Sequence, residues 1–394
     1  MSKEIIQFDQ AMFESKLDAM VREKVERIVN AMLDAEADEI ANAARYERSG
    51  GRKAYRAGHY ERSLTAKAGR LELKVPKLKG VLFESAVIER YRRREESVEE
   101  ALIDMYPAGV STRQVDDTGQ LLWGGRMPSQ TLSGKLKRVY AEIDEWRTRP
   151  LDDEYPYVFV DGVWHKRSWG GSVENVSILV AIGVSKDGHR EAVGVAEGMR
   201  EDSASWEQFF CGMIERGLKG VRLVVGDRCA GLVSTVDLML PKAGYQRCMV
   251  HFLRNVLSKV PSSHREWASA ALKAVFAMES RESAVDKAET VAAEMETRRL
   301  KAAANCLREG IGETTTYLLP EFPDGHRRRI RTNNMIERPN REIRRRTRVV
   351  GSFPDGNSAL MLVCARIRHV TANGWSTRRY LDMFRLDDNL QVAN

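Results

Sequence analysis

Apolar residues recur at helical spacing near the start of the chain, at Phe13, Leu17, Met20, Val21, Ile28 and Met32. They predict one or two amphipathic helices within residues 4–45. A Gly- and Arg-rich break over 45–63 ends that pattern, and two short strands are expected after it. The second is Leu71-Glu72-Leu73-Lys74-Val75, alternating strictly and closed by Pro76. From Val98 to Thr148 the period is helical again. Gly109–Val115 reads as a turn, an N-cap hydroxyl and the start of a helix carrying Arg113, and Pro128-Ser129-Gln130-Thr131 opens another whose cations begin at Lys135. Two capped helices in this order fit a helix-turn-helix, with Arg113, Ser129, Thr131 and Lys135 as candidate DNA contacts. An ordinary capped pair would give the same pattern.

After Pro150 the period changes to strands. Tyr157-Val158-Phe159-Val160 ends at Asp161-Gly162, a longer run covers Val176–Val184, and Glu191–Ala196 follows a turn at Lys186-Asp187-Gly188. A helix around Ser205–Arg216 separates these from the run Val221–Val225, which ends at Gly226-Asp227. Strands and helix together predict a mixed α/β sheet. Residues from Phe252 to about Gly312 read as helix throughout, as do Thr332–Arg346 and a last helix starting near Ser358.

Composition narrows the partners. The chain has 394 residues, enough for two or three domains, and is 43% hydrophobic and 30% charged. Its formal net charge is +7, but the basic residues are clustered at Arg45–Arg70, Arg90–Arg94 and Arg327–Arg348, where ten arginines face two acids. Such patches suit nucleic acid. No apolar run is long enough to span a membrane, and MSKEIIQFDQ lacks a signal-peptide core. Five scattered cysteines point to a reducing compartment, so a cytoplasmic, nucleoid-associated protein is expected.

Asp161 and Asp227 each follow a β-rich apolar run. Acids at the C-terminal ends of neighbouring strands would converge over the sheet, and hard oxygen donors with open positions suit Mg²⁺, with Mn²⁺ as the alternative. Asp before Gly is equally a common turn opener. A third acid, Glu337, stands inside the arginine run beside Arg338, Arg341, Arg344, Arg345, Arg346 and Arg348, all candidate phosphate contacts. A solvated helix face with intrahelical pairs is the competing reading of that run.

The order strand–Asp161, strand–Asp227, helix–Glu337 resembles the ribonuclease H-like DDE catalytic core. More narrowly, the chain resembles the Mutator-type family of bacterial insertion-sequence transposases over nearly its whole length. The most specific stretches are Ser205-Trp206-Glu207-Gln208-Phe209-Phe210, Gln246–Asn255, Thr332-Asn333-Asn334-Met335-Ile336-Glu337-Arg338 and Arg344–Pro354. The resemblance implies a catalytic triad of Asp161, Asp227 and Glu337 and an all-α insertion between the last two. It also implies a Cys/His signature at Cys248 and His251, a basic position at Arg167, and a tryptophan, Trp206, that is either core or close to DNA. Cys248 and His251 lack the further ligands a structural zinc site needs, so packing, or orientation of a carboxylate or phosphate by His251, is expected. One position departs from the family pattern, Arg228 directly after Asp227.

The implied organisation has five parts. Residues 1–95 hold N-terminal helices and a basic hairpin for DNA binding or dimerisation, and 96–150 a helix-turn-helix-like region. Residues 151–254 form the first part of the core, 255–325 the insertion, and 326–394 the second part with Glu337. The expected activity is Mg²⁺-dependent cleavage and strand transfer at the terminal inverted repeats of an insertion sequence. A domesticated, non-catalytic DNA-binding protein or repressor is the alternative. Two DNA ends must be handled together, so at least a homodimer is expected, through the N-terminal helices or the insertion.

Overall fold

One unbroken helix, α1 (Gln10–Ala41), takes up the first apolar pattern. The computed structural model describes residues 10–48, 50–169, 172–198, 202–347, 353, 356–372 and 377–386. The chain divides into two units, Met1–Lys137 and Arg138–Asn394. In the first, α1 packs on an antiparallel hairpin of β1 (Tyr55–Ala66) and β2 (Gly69–Lys79). Leu33, Leu71, Leu73 and Val75 form the core between them, and Arg56 closes it by bonding Asp34 and Asp38, each at 2.7 Å. The hairpin is longer than its alternation suggested, and Pro76 lies within β2 instead of ending it. Pro76 sits opposite His59 beside a register shift in a two-stranded sheet, where a missing N–H is tolerated. Then come α2 (Glu96–Met105) and α3 (Thr112–Trp123), whose Ser111 makes a full capping box with Gln114. Helix α4 (Ser129–Thr148) leads into the second unit.

That unit is built on a five-stranded sheet, in the order β5-β4-β3-β6-β7 among the described residues. Strands β3 (Tyr157–Trp169), β4 (Ser172–Val184) and β5 (Arg190–Gly198) form an antiparallel meander. Helix α5 (Ser203–Glu215) crosses to β6 (Leu223–Gly226), which runs parallel to β3. Helix α6 (Ala230–Met239) crosses again to β7 (Gly244–Arg247), parallel to β6. One face of the sheet, with Val158, Val160, Leu179 and Ala181, is sealed by Trp206, Phe209 and Phe210 of α5 and by Leu232 and Val236 of α6. On the other, the Tyr157 hydroxyl and His326 Nδ1 are hydrogen-bonded at 2.8 Å, while His326 Nε2 reaches the Asp382 carbonyl at 2.9 Å.

Between β7 and the return to the sheet lies a helical stretch of α7 (Met249–Ser258), α8 (Arg265–Val275), α9 (Arg281–Thr297) and α10 (Lys301–Thr314). It has its own core, including Phe252, Val256, Leu272, Val291 and Leu307. Buried Gln246 on β7 ties its far end down. The Gln246 amide donates to the Thr314 carbonyl at 2.8 Å, and its oxygen accepts from the Tyr317 N–H at 2.8 Å. The chain then forms α11 (Asp324–Ile330), α12 (Asn334–Thr347) and α13 (Gly356–Ala372). No helix of the described residues is long and apolar enough to cross a membrane.

Candidate active site

Asp161 does not end its strand, contrary to expectation. β4 pairs with β3 from Tyr157↔Val184 to Trp169↔Ser172, so the strand continues through Asp161. What stops there is the other neighbour, since β6 pairs with β3 only from Tyr157 to Phe159. Asp161 therefore lies just past the point where parallel pairing ends. Asp227 directly follows β6, as expected. Phe159 and Val225 are register partners, and each acid is two residues further on, a step that in extended chain returns to the same face.

The third acid reaches that face through two asparagines. Asn333 is fully buried. Its side-chain amide donates to the Val160 carbonyl at 2.9 Å, its N–H donates to Cys248 Sγ at 3.3 Å, and its carbonyl accepts from the Glu337 N–H at 3.2 Å. This pins the start of α12 to β3, one residue before Asp161. Asn340, also fully buried, donates from Nδ2 to Asp161 Oδ2 at 2.6 Å. Glu337 and Asn340 are three residues apart on one helix and so share its inward side.

His251 joins the other two acids. α7 starts at the sheet edge because the Cys248 N–H donates to the Gly226 carbonyl and the Met249 N–H to the Arg331 carbonyl. The first turn of α7 then brings His251 Nε2 to 3.2 Å from Glu337 Oε1 and Nδ1 to 3.8 Å from Asp227 Oδ2. The Cys248 sulfur beside it, followed by the Asp227 and Glu337 charges, outweighs burial and pushes the imidazole up to about 9. Burial alone would raise the Cys248 thiol, but hydrogen bonding to His251 and to the Asn333 amide overcomes it and leaves the thiol below its ordinary value. The Cys/His pair thus works as a hydrogen-bonded joint between β7, α7 and α12.

The side chains of Asp227 and Glu337 are 47% and 31% exposed, so the site is open on one side. Its donor chemistry, carboxylate oxygens from three elements, suits a hard divalent cation. As arranged, Asp161 Oδ2 is engaged by Asn340 and Glu337 Oε1 by His251. Among the described residues no group of three His, Cys, Asp or Glu side chains is disposed to hold a metal ion.

Helix α12 is sharply two-sided. Ile336, Pro339, Asn340, Ile343 and Thr347 are buried, while Arg338, Arg341, Arg344 and Arg345 are exposed. Arg345 pairs within the helix with Glu342 at 3.5 Å. Arg338, Arg341, Arg344 and Arg345 therefore form a solvent-facing cationic surface on the same helix as Glu337. Arg344 also acts on His165, which burial, with this charge behind it, holds down at about 4. The side chains of Arg167 and Arg346, and the whole of Arg348, lie outside the described residues.

Other candidates are distributed elsewhere. Arg113, Ser129 and Thr131 are exposed, whereas Lys135 forms an ion pair with Glu99. Trp206 is buried in the core against α5 and α6. Arg228 reaches to 3.4 Å from Glu313 on α10, which ties the residue after Asp227 to the helical stretch. Sequence reasoning missed Asn340. The signal available was an uncharged polar residue three positions after Glu337 in a helix otherwise crowded with arginine.

Residues 1–377 match the family model described as transposase, Mutator family. The chain is 34% identical over 374 residues to the transposase for insertion sequence element ISRM5 of Rhizobium meliloti, covering 95% of this chain and 93% of that protein. It is 32% identical over 358 residues to the transposase for IS256 in transposon Tn4001 of Staphylococcus aureus, covering 90% and 91%. The transposase for IS1081 of Mycobacterium tuberculosis is 33% identical over 366 residues, covering 92% and 88%.

Proposed function

The chain belongs to the Mutator family of transposases, and from that footing we propose that it cleaves and joins DNA by DDE chemistry at the terminal inverted repeats of an insertion sequence. Asp161, Asp227 and Glu337 are the catalytic carboxylates and the ligands of Mg²⁺, with Mn²⁺ as a substitute. The sheet order, with β4 antiparallel and β6 and β7 parallel to β3, supports a ribonuclease H-like core. On this reading 151–254 and 326–394 make up that core, 255–325 is its all-α insertion, and 1–95 and 96–150 bind DNA.

The observation that carries the proposal is the pair of contacts from α12 and α7. Asn340 on Asp161, and His251 between Glu337 and Asp227, gather acids from three separate elements at one end of the sheet. A structural ion-pair network would not need all three acids on one open face. Bound divalent ions activate an attacking oxygen and stabilise a leaving one in phosphoryl transfer. The chain's own groups supply the rest. The exposed arginines of α12 hold phosphates beside the carboxylates, and His251, protonated at neutral pH, keeps Glu337 and Asp227 oriented. Asn340 holds Asp161 by Oδ2 and the Gly162 N–H holds it by Oδ1, so the chain itself fixes this carboxylate at the position where it would serve as a ligand. Water first hydrolyses a phosphodiester to give a 3′-hydroxyl and a 5′-phosphate. The 3′-hydroxyl then attacks a second phosphodiester, forming one P–O bond as another breaks and its leaving oxygen takes up a proton.

Labelled DNA carrying the element's terminal repeats tests this. The full chain is expected to nick and join it in Mg²⁺ and to leave it intact in EDTA. Binding without cleavage in either condition would instead mark a DNA-binding protein that has lost the reaction.

A further inference from the structure

Helix α4 carries a glycine that its own fold does not call for. Gly134 lies well inside Ser129–Thr148, where glycine is a poor helix former. Among the described residues, a Cβ built on it would have no atom within 4 Å. Gly119 of α3 is the contrast, because a Cβ there would stand 2.8 Å from the Gly125 carbonyl oxygen and 3.2 Å from Leu102. The bare backbone at Gly134 is exposed, and packing within the described chain does not account for it.

The neighbours of Gly134 indicate what approaches it. At 3.6 residues per turn, Gln130, Gly134 and Lys137 fall within an arc of about 60°, on the side away from buried Leu132 and Leu136. All three are exposed. Ser129 and Thr131 fall on the flanks of this line, and Lys135 is a flank residue tied to Glu99. The Ser133 hydroxyl donates to the Ser129 carbonyl at 2.8 Å. Residues 126–137 hold three cations and no acid. A ridge with an amide at one end, no side chain in the middle and an ammonium beyond fits the major groove of duplex DNA. That groove admits an α-helix, and a glutamine amide matches the N6 donor and N7 acceptor of adenine. Glycine lets the backbone approach closely. The deep, narrow major groove of duplex RNA does not admit such a ridge.

We propose that Gln130, Gly134 and Lys137 are the line through which the chain reads the base sequence of a terminal repeat. Gln130 takes an adenine edge, Gly134 is the point of closest approach, and Lys137 holds a backbone phosphate. These residues take the reading role from Ser129, Thr131 and Lys135, which the helical register sets to the sides. The inference rests on the proposed action at terminal repeats and on no property of the carboxylate site.

Fluorescence anisotropy on the full-length chain in EDTA, at one salt concentration, compares a duplex carrying the terminal repeat with a shuffled duplex. The parent should prefer the repeat. Gln130→Ala should lower that preference by about five- to 150-fold, the range for a bidentate base contact. Replacing one particular adenine of the repeat should cost the parent the same factor and cost Gln130→Ala nothing further. Gly134→Leu should lower the preference by at least about tenfold, by holding the helix off the bases. The same chain should melt no lower than the parent, since leucine favours a helix that glycine weakens. Folded variants that keep the parent's preference overturn the proposal and leave the terminal-repeat reading intact. A parent with no preference sinks both. A Gly134→Leu chain that melts below the parent assigns the glycine to the fold and overturns its role in reading.

Discussion

A Glu337→Gln chain is expected to bind terminal-repeat DNA as the parent does and to cleave it at least about a hundredfold more slowly. The substitution changes one oxygen to an amide and removes one negative charge. The amide oxygen can still face His251 Nε2, and the backbone bond from residue 337 to the Asn333 carbonyl is untouched. The exposed arginines of α12 remain, so the cationic surface keeps its place. Only metal affinity and the field at the reacting phosphate change. Gel-shift and cleavage assays on one preparation separate the two properties. If binding and cleavage fell together, Glu337 would be a structural residue of α12 and not a catalytic one.

Asn333→Ala should act on fold and chemistry together. The Asn333 amide is the partner of the Val160 carbonyl, buried in the strand that carries Asp161. Its loss leaves that carbonyl unsatisfied, at a cost of about 1–3 kcal/mol in unfolding by denaturant. It also frees the first turn of α12, so cleavage should drop by more than the stability loss explains, even where the chain is fully folded. Unchanged stability with full cleavage would show that α12 is held by its apolar face alone.

How much of this was legible in the sequence depended on the range of the interactions. Alternation and helical period announced α1, the meander and the long helical stretch, because each is a local pattern of burial. Strand β7 was not announced. It is four residues with one large apolar side chain, Tyr245, and exists because β6 offers it a parallel edge. Asp161 looked like a strand end because Asp-Gly usually opens a turn, but the pairing with β4 carries the strand on. Pro76 misled for a similar reason, since the rule against proline in a strand assumes a central one. The three acids stood out by their order along the chain and by the motifs around them. Asn333, Asn340 and the bridging role of His251 did not. Their partners lie on other elements, 173 and 179 residues away for the two asparagines, and only the packing of α12 against β3 brings them together.

The most direct test of the central claim concerns the metal and needs no DNA. Fe²⁺ substituted for Mg²⁺, with ascorbate and peroxide, generates hydroxyl radicals that cut the polypeptide beside the bound ion. Mapping the fragments should show cuts near Asp161, Asp227 and Glu337 together, suppressed by excess Mg²⁺ and lost in Asp161→Asn. Cuts at only one of the three segments, or a pattern indifferent to Mg²⁺ and to Asp161→Asn, would contradict a shared carboxylate site.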